Sequence, residues 1–378
     1  MPRTLAGYTI SMTVVTRLPA TGCATCPWGE HMGPAPTFVL KAALLIGGLH
    51  SPPDIGPMNF QGWFEEASRG RLEIPEPVAD RARRFRYVFV LGLLNERMPG
   101  YFDQAEKEFR SLGVPSESIH RIAPSSDATF SENLDAIRDE FLRIADLGPE
   151  PLVVVGHSRG ACDALAFALL EPGFVSERVS ALFLVQGPFG GSGAADYLVG
   201  SGRPIDERMP VPARAIARLI RDIESRRLDR GQHGGIVDLT RDAARTFWEE
   251  MLEAQAEAIP IVGPRTFYIE SSVSPTKHPP FRRPVAKYLE TYYGPNDGLV
   301  AAGDQFLPEL GLRLGMLDVS HTDLTHRFPA ARPRPRLRGA FARSIIMAVG
   351  GQAGPEPDPT PISPDVPDDD GSIRAARR

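Results

Sequence analysis

The chain has 378 residues, of which 42% are hydrophobic and 24% charged, so it can bury a sizeable core and is neither a small stapled scaffold nor disordered throughout. Forty-two Lys and Arg against 47 Asp and Glu leave a net charge of −5, which provides no basic field for phosphate backbones; no nucleic-acid partner is expected. Cys23, Cys26 and Cys162 are too few for a disulfide framework, and Cys23-x-x-Cys26 lacks the second ligand pair of a zinc site.

Residues 1–36 mix Gly, Pro, Thr and Cys without periodicity and read as a poorly ordered extension. Arg17 and two prolines follow the weakly apolar stretch 8–15, so no signal peptide is expected and a cytoplasmic location is favoured. The longest apolar run, 38–49, is interrupted by Lys41 and falls short of the roughly 18 residues of a membrane span. Residues 37–349 read as one catalytic domain, and 350–378, rich in Pro and Asp, as a disordered tail.

Within the domain, short β-branched runs alternate with helical stretches, the pattern of a mostly parallel sheet covered by helices. The spacing predicts strands at 86–91, 151–155, 179–186, 265–271 and 313–319. It predicts helices at 101–112, 131–147, 161–170 and 336–349, and two more, 211–226 and 240–258, within a strandless insertion at 190–262. That insertion is a lid candidate: Ala215, Ile216, Leu219, Ile220 and Ile223 form an apolar stripe suited to the core or to transient contact with a lipid surface.

Gly156-His157-Ser158-Arg159-Gly160 follows the apolar run 151–155 and opens an Ala- and Leu-rich helix. A serine on a tight strand-to-helix turn projects its hydroxyl above the sheet edge, and only glycine fits two residues to either side. Such a hydroxyl needs a base and an orienting acid later in the chain. Asp297, in a Gly- and Pro-rich loop, and His321, directly after the last strand, supply the order Ser158, Asp297, His321. Asp304, Asp318 and His326 are the rivals, and the remaining histidines, His157 among them, read as packing or surface residues. For an oxyanion hole the backbone N–H of Arg159 is one donor and that of Leu93, in Gly92-Leu93-Leu94 after the first strand, the other. Leu94 is the alternative within that turn, and Gly47-Gly48 a rival turn after a helix expected at 38–46.

These motifs resemble the bacterial triacylglycerol lipases of the α/β-hydrolase superfamily over about residues 85–349. The resemblance is carried by Gly156-His157-Ser158-Arg159-Gly160, Gly191-Ser192-Gly193-Ala194-Ala195-Asp196, Asp238-Leu239-Thr240, Asn296-Asp297-Gly298-Leu299-Val300 and His321-Thr322-Asp323. It implies the α/β-hydrolase fold with a helical lid insertion, Asp297 as triad acid and His321 as base. Members with a structural calcium use the Asp of H-x-D and a second Asp upstream of the triad acid. Here 274–281 has no carboxylate, so no metal or other cofactor is expected. Gly187-Pro188-Phe189 stands where the family has Thr-Pro-His, a departure that bears on substrate subclass. The expected activity is hydrolysis of a small-molecule or lipid ester through an acyl-enzyme. A thioesterase or acyltransferase with the same triad and a catalytically silent hydrolase-like binding protein are the alternatives.

Overall fold

In the computed structural model, which describes residues 59–98, 100–199, 234–280, 282–326 and 334–351, six strands form one parallel sheet. They are β1 (Arg86–Val90), β2 (Ile119–Ile122), β3 (Leu152–His157), β4 (Val179–Val185), β5 (Thr266–Ser271) and β6 (Leu312–Leu317), in the order β2-β1-β3-β4-β5-β6. The longer helices are α1 (Phe60–Ser68), α2 (Asp103–Ser111), α3 (Phe130–Ala145), α4 (Arg159–Leu170), α5 (Arg241–Ala254), α6 (Arg283–Tyr293) and α7 (Pro335–Gly350). This is the α/β-hydrolase fold.

Side chains alternate across a strand, and both faces of this sheet are covered, which is why the central strands are apolar without interruption. Tyr87 and Phe89 of β1, Val153 and Val155 of β3, and Phe183 of β4 join a core closed by α1, α2 and α7. Val88, Val90, Leu152, Val154, Leu182 and Leu184 face the opposite way, into a core closed by α3, α4 and Trp248 of α5. Thr129 caps α3 reciprocally with Glu132: its hydroxyl accepts from the Glu132 N–H at 3.2 Å while its own N–H donates to the Glu132 carboxylate at 2.7 Å.

Five strands were expected; the sixth is β2, four residues at the sheet edge with only Ile122 buried. Its sequence, Ile-His-Arg-Ile, carries too little apolar signal over too short a run. Helices α1 and α6 were also unanticipated. The described parts of the insertion, 190–199 and 234–262, are helical and contain no strand, and Ile236, Leu239 and Trp248 pack into the second core. The expected helices 38–46 and 211–226 lie outside the described residues, as do Cys23, Cys26, Gly47, Gly48 and both end segments except Gly350 and Gly351.

The strand order places the site. After β1 the chain adds β2 on one side, then crosses back to lay β3 on the other, so the connections leaving β1 and β3 run in opposite directions. Open α/β sheets bind their ligands at such a switch point, outside the carboxyl ends of the strands.

Candidate active site

Ser158 occupies the turn between β3 and α4 with φ 56° and ψ −130°, a left-handed conformation that a non-glycine residue holds only under constraint from its surroundings. The flanking glycines supply part of that constraint. A Cβ on Gly156 would lie 2.7 Å from the Ala161 Cα and the Gly160 carbonyl, and one on Gly160 would lie 2.4 Å from the carbonyls of Val90 and Leu91. The helix therefore seats tightly on the sheet and turns the Ser158 hydroxyl outward.

His321 lies in the loop after β6, and its Nε2 is 2.8 Å from Ser158 Oγ. Its Nδ1 is 2.8 Å from Asp297 Oδ2. Because the carboxylate only accepts, the ring proton sits on Nδ1, leaving Nε2 as the acceptor for the serine hydroxyl. The His321 backbone N–H also donates to the Asp297 carbonyl at 2.9 Å, so main chain and side chain are held by the same loop.

Asp297 is fully buried, yet its carboxylate is well supplied with donors. Oδ1 accepts from the Leu299 and Val300 N–H groups at 2.9 Å each. Oδ2 accepts from Gln305 Nε2 at 3.3 Å and Ser271 Oγ at 3.5 Å besides His321. The Asn-Asp-Gly sequence makes the turn: Asn296 Oδ1 accepts from the Gly298 N–H at 2.9 Å, and Gly298 has φ +100°. A side chain at Gly298 would meet the buried His278 ring at 2.5 Å.

The loop after β1 lies against Ser158: a Cβ on Gly92 would stand 2.8 Å from the His157 carbonyl and 2.9 Å from Ser158 Cβ. Leu94 is left-handed, φ 62°, and its N–H is taken by Ser126 Oγ at 2.7 Å. Among the described residues, the N–H groups of Leu93 and of Arg159 at the start of α4 meet no protein acceptor. The Arg159 side chain is buried beneath Gly235, its guanidinium 5.1 Å from the centre of the Phe130 ring and its Nε 3.7 Å from Asp163.

The rivals are engaged elsewhere. Asp304 pairs with Arg241, and burial raises its carboxyl to about 6. Asp318 was expected inside the last strand but lies just past β6, exposed and paired with Lys277. His326 is buried with its ring 4.6 Å from that of Tyr101, and its Nδ1 is 3.0 Å from Thr325 Oγ1.

His157 is buried and hydrogen-bonded at both ring nitrogens. Its Nδ1 lies 2.5 Å from Tyr101 Oη, and its Nε2 lies 2.8 Å from the His321 carbonyl and 3.0 Å from Gln186 Oε1. Burial, with His321 and His326 nearby, holds its pKa well below the ordinary histidine value. Gln186, Gln305, Ser271 and Tyr101 were not singled out from the sequence; no local motif marks them, since each matters through a partner distant in the chain.

The other motifs of the resemblance tie elements together. Ser192 Oγ donates to the Leu299 carbonyl at 2.7 Å, and Asp196 accepts from the Arg241 N–H at 2.8 Å at the start of α5. Asp238 accepts from the Phe130 N–H at 2.5 Å at the start of α3. Asp323 accepts from the Ser320 N–H and Arg334 Nη1 at 3.0 Å each. Among the described residues no group of three or more His, Cys, Asp or Glu is placed to hold a metal.

No family model matches the chain, and no curated protein matches it. Solved structures similar to it include those of carboxylesterases, lipases and a thioesterase. A metagenomic carboxyl esterase is 21% identical over 69% of this chain and 75% of that one, with a TM-score of 0.48. The mature lipase BlEst2 of Bacillus licheniformis is 17% identical over 62% of this chain and 84% of that one, with a TM-score of 0.45. A thioesterase from the prodiginine biosynthetic pathway of Streptomyces coelicolor is 14% identical over 70% of this chain and 86% of that one, with a TM-score of 0.30.

Proposed function

We propose that the protein is a serine hydrolase that cleaves carboxylic esters, acylglycerols or related acyl esters, through an acyl-enzyme. The observation that carries this reading is the unbroken hydrogen-bonded line from Ser158 Oγ through His321 to Asp297, 2.8 Å at each link, ending on a strained strand-to-helix turn.

In this mechanism Ser158 Oγ attacks the ester carbonyl while His321 Nε2 takes its proton. The imidazolium that forms is stabilised by the buried Asp297 carboxylate, which keeps the ring turned toward the serine. Charge developing on the carbonyl oxygen is met by the Leu93 and Arg159 N–H groups, with the positive end of α4 behind the second. Collapse of the tetrahedral intermediate expels the alcohol, protonated by His321, and water attacks the acyl-serine by the same steps in reverse.

A fluorophosphonate probe should label the wild-type chain on Ser158, and Ser158→Ala should take no label. Ser158→Ala and His321→Ala should each lower kcat on a p-nitrophenyl ester by on the order of 10⁶, because nucleophile and base act as a unit. Labelling at another residue, or full activity in either variant, would refute the proposal.

A further inference from the structure

Tyr101, His157 and Gly92 form a hydrogen-bonded chain behind the nucleophile whose direction is fixed by its fixed acceptors. Gln186 Nε2 lies 3.3 Å from the Ser320 carbonyl, which can only accept, so the Gln186 amide oxygen is the atom that faces His157. His157 Nε2 thus meets two acceptors, Gln186 Oε1 and the His321 carbonyl, and must carry the ring proton. Nδ1 is then a bare lone pair, and among the described residues the group on it is the Tyr101 hydroxyl, which must donate. Tyr101 Oη in turn accepts from the Gly92 N–H at 3.2 Å. The path runs from Gly92 N–H to Tyr101 O–H to His157 Nδ1, and from His157 Nε2–H to the His321 carbonyl.

Its two ends are the parts that must be aligned for acyl transfer. Gly92 immediately precedes Leu93, whose N–H meets no acceptor among the described residues, and lies against Ser158. At the other end the backbone of the base is gripped on both sides, its N–H by the Asp297 carbonyl at 2.9 Å and its carbonyl by His157 at 2.8 Å. The chain is dry: Tyr101 is 2%, His157 1% and Gln186 0% exposed, so no solvent replaces a lost partner and each bond polarises the next. Phe102, with φ 61°, breaks the backbone just before α2 and keeps Tyr101 out of the helix.

We infer that Tyr101 and His157 are positioning residues for ester cleavage, coupling the loop that presents the Leu93 amide to the backbone of the base His321. The inference rests on the hydrolase reading above and adds to it two residues that touch neither substrate nor the reacting atoms.

The test uses the full chain with rates counted per fluorophosphonate-reactive serine, which removes loss of folded protein from the comparison. Tyr101→Phe keeps the ring contacts with Phe102 and His326 and deletes only Oη. It should lower kcat roughly 10- to 100-fold, with KM changed by less than about twofold, because misplacing one oxyanion donor by a fraction of an ångström acts on the transition state alone. Affinity for a trifluoromethyl ketone, which forms the tetrahedral adduct, should fall by the same factor. His157→Gln, which keeps a donor for the His321 carbonyl, should retain more activity than His157→Leu. The double variant Tyr101→Phe with His157→Leu should be no slower than His157→Leu alone. If the wild type cleaves esters but Tyr101→Phe keeps kcat per labelled site, or if the two losses multiply, the coupling is overturned while the hydrolase reading stands. If the wild type takes no label and cleaves no ester, the hydrolase reading has failed and the positioning role falls with it.

Discussion

Asp297 and Asp163 are both fully buried aspartates, and they are built in opposite ways. Asp297 receives five donors: two backbone N–H groups, a glutamine amide, a serine hydroxyl and His321. Among the described residues Asp163 has no hydrogen-bond donor on either oxygen, and Arg159 Nε lies 3.7 Å away. Burial consequently raises the Asp163 carboxyl to about 7, against an ordinary 3.8, with Arg159 only partly opposing the shift. The contrast follows from local structure. Asp297 sits in a turn whose N–H groups are unspent, whereas Asp163 lies within α4, where backbone N–H groups are committed to carbonyls one turn back. Removal from water penalises both carboxylates; only one is repaid with hydrogen bonds, so only that one is equipped to stabilise an imidazolium.

The sharpest way to break this contrast is to neutralise each carboxylate in turn. Asp297→Asn should preserve the fold and lower kcat by about 10⁴, because the amide cannot support the imidazolium and favours the wrong ring tautomer. Asp163→Asn should leave kcat within about threefold, since that group touches none of the reacting atoms and the change imitates its protonated form. Steady-state hydrolysis of a p-nitrophenyl ester reads both. Comparable losses in the two variants would show that Asp163 also serves the reaction as a charge.

The second effect is on stability. A carboxyl with a folded pKa of about 7 and an unfolded one of 3.8 favours the folded state fully below pH 3.8, and that contribution is lost as pH rises toward 7. Asp163→Asn removes the titration. Denaturant unfolding should show the variant close to wild type near pH 4 and more stable by a few kcal/mol at pH 8. A variant less stable than wild type at pH 8 would mean that the Arg159 pair contributes more than the burial of the carboxylate costs.

Much of this site was legible in the sequence because its requirements are local or ordered along the chain. The strain at Ser158 demands small neighbours within two residues, and a partner acid and base were expected later in the chain, each at the end of an element, at Asp297 and His321, which the fold brings within hydrogen-bond reach of each other and of Ser158. The turn after β1 was legible, but not which of its N–H groups is engaged; the Ser126 hydroxyl on Leu94 N–H is a contact that no spacing reveals. Tyr101 and His157 are 56 residues apart and meet only because β1 and β3 are neighbours, so a tyrosine before an amphipathic helix looks like ordinary core. Strand β2 was lost for the opposite reason. At an edge only Ile122 is buried, so burial imposes almost no pattern.

His326 gives the smallest effect and extends the contrast to the bases. It follows His321 by five residues, but among the described residues its Nε2 is buried without a partner and its Nδ1 meets Thr325 alone. Burial, with His321, Arg282 and Arg338 nearby, lowers its pKa to about 3 from an ordinary 6.5. Between those values the unfolded chain binds a proton that the folded chain does not, so stability is complete above pH 6.5 and declines as pH falls toward 3. His326→Phe keeps an aromatic ring against Tyr101 and removes this proton. Relative to its own value at pH 8, the variant should retain roughly 2 kcal/mol more stability at pH 5 than wild type, with kcat unchanged. Urea unfolding at the two pH values checks it. An acid limb as steep as that of the wild type would assign the loss to other groups, with the fully buried His157 the first to test by the same measurement.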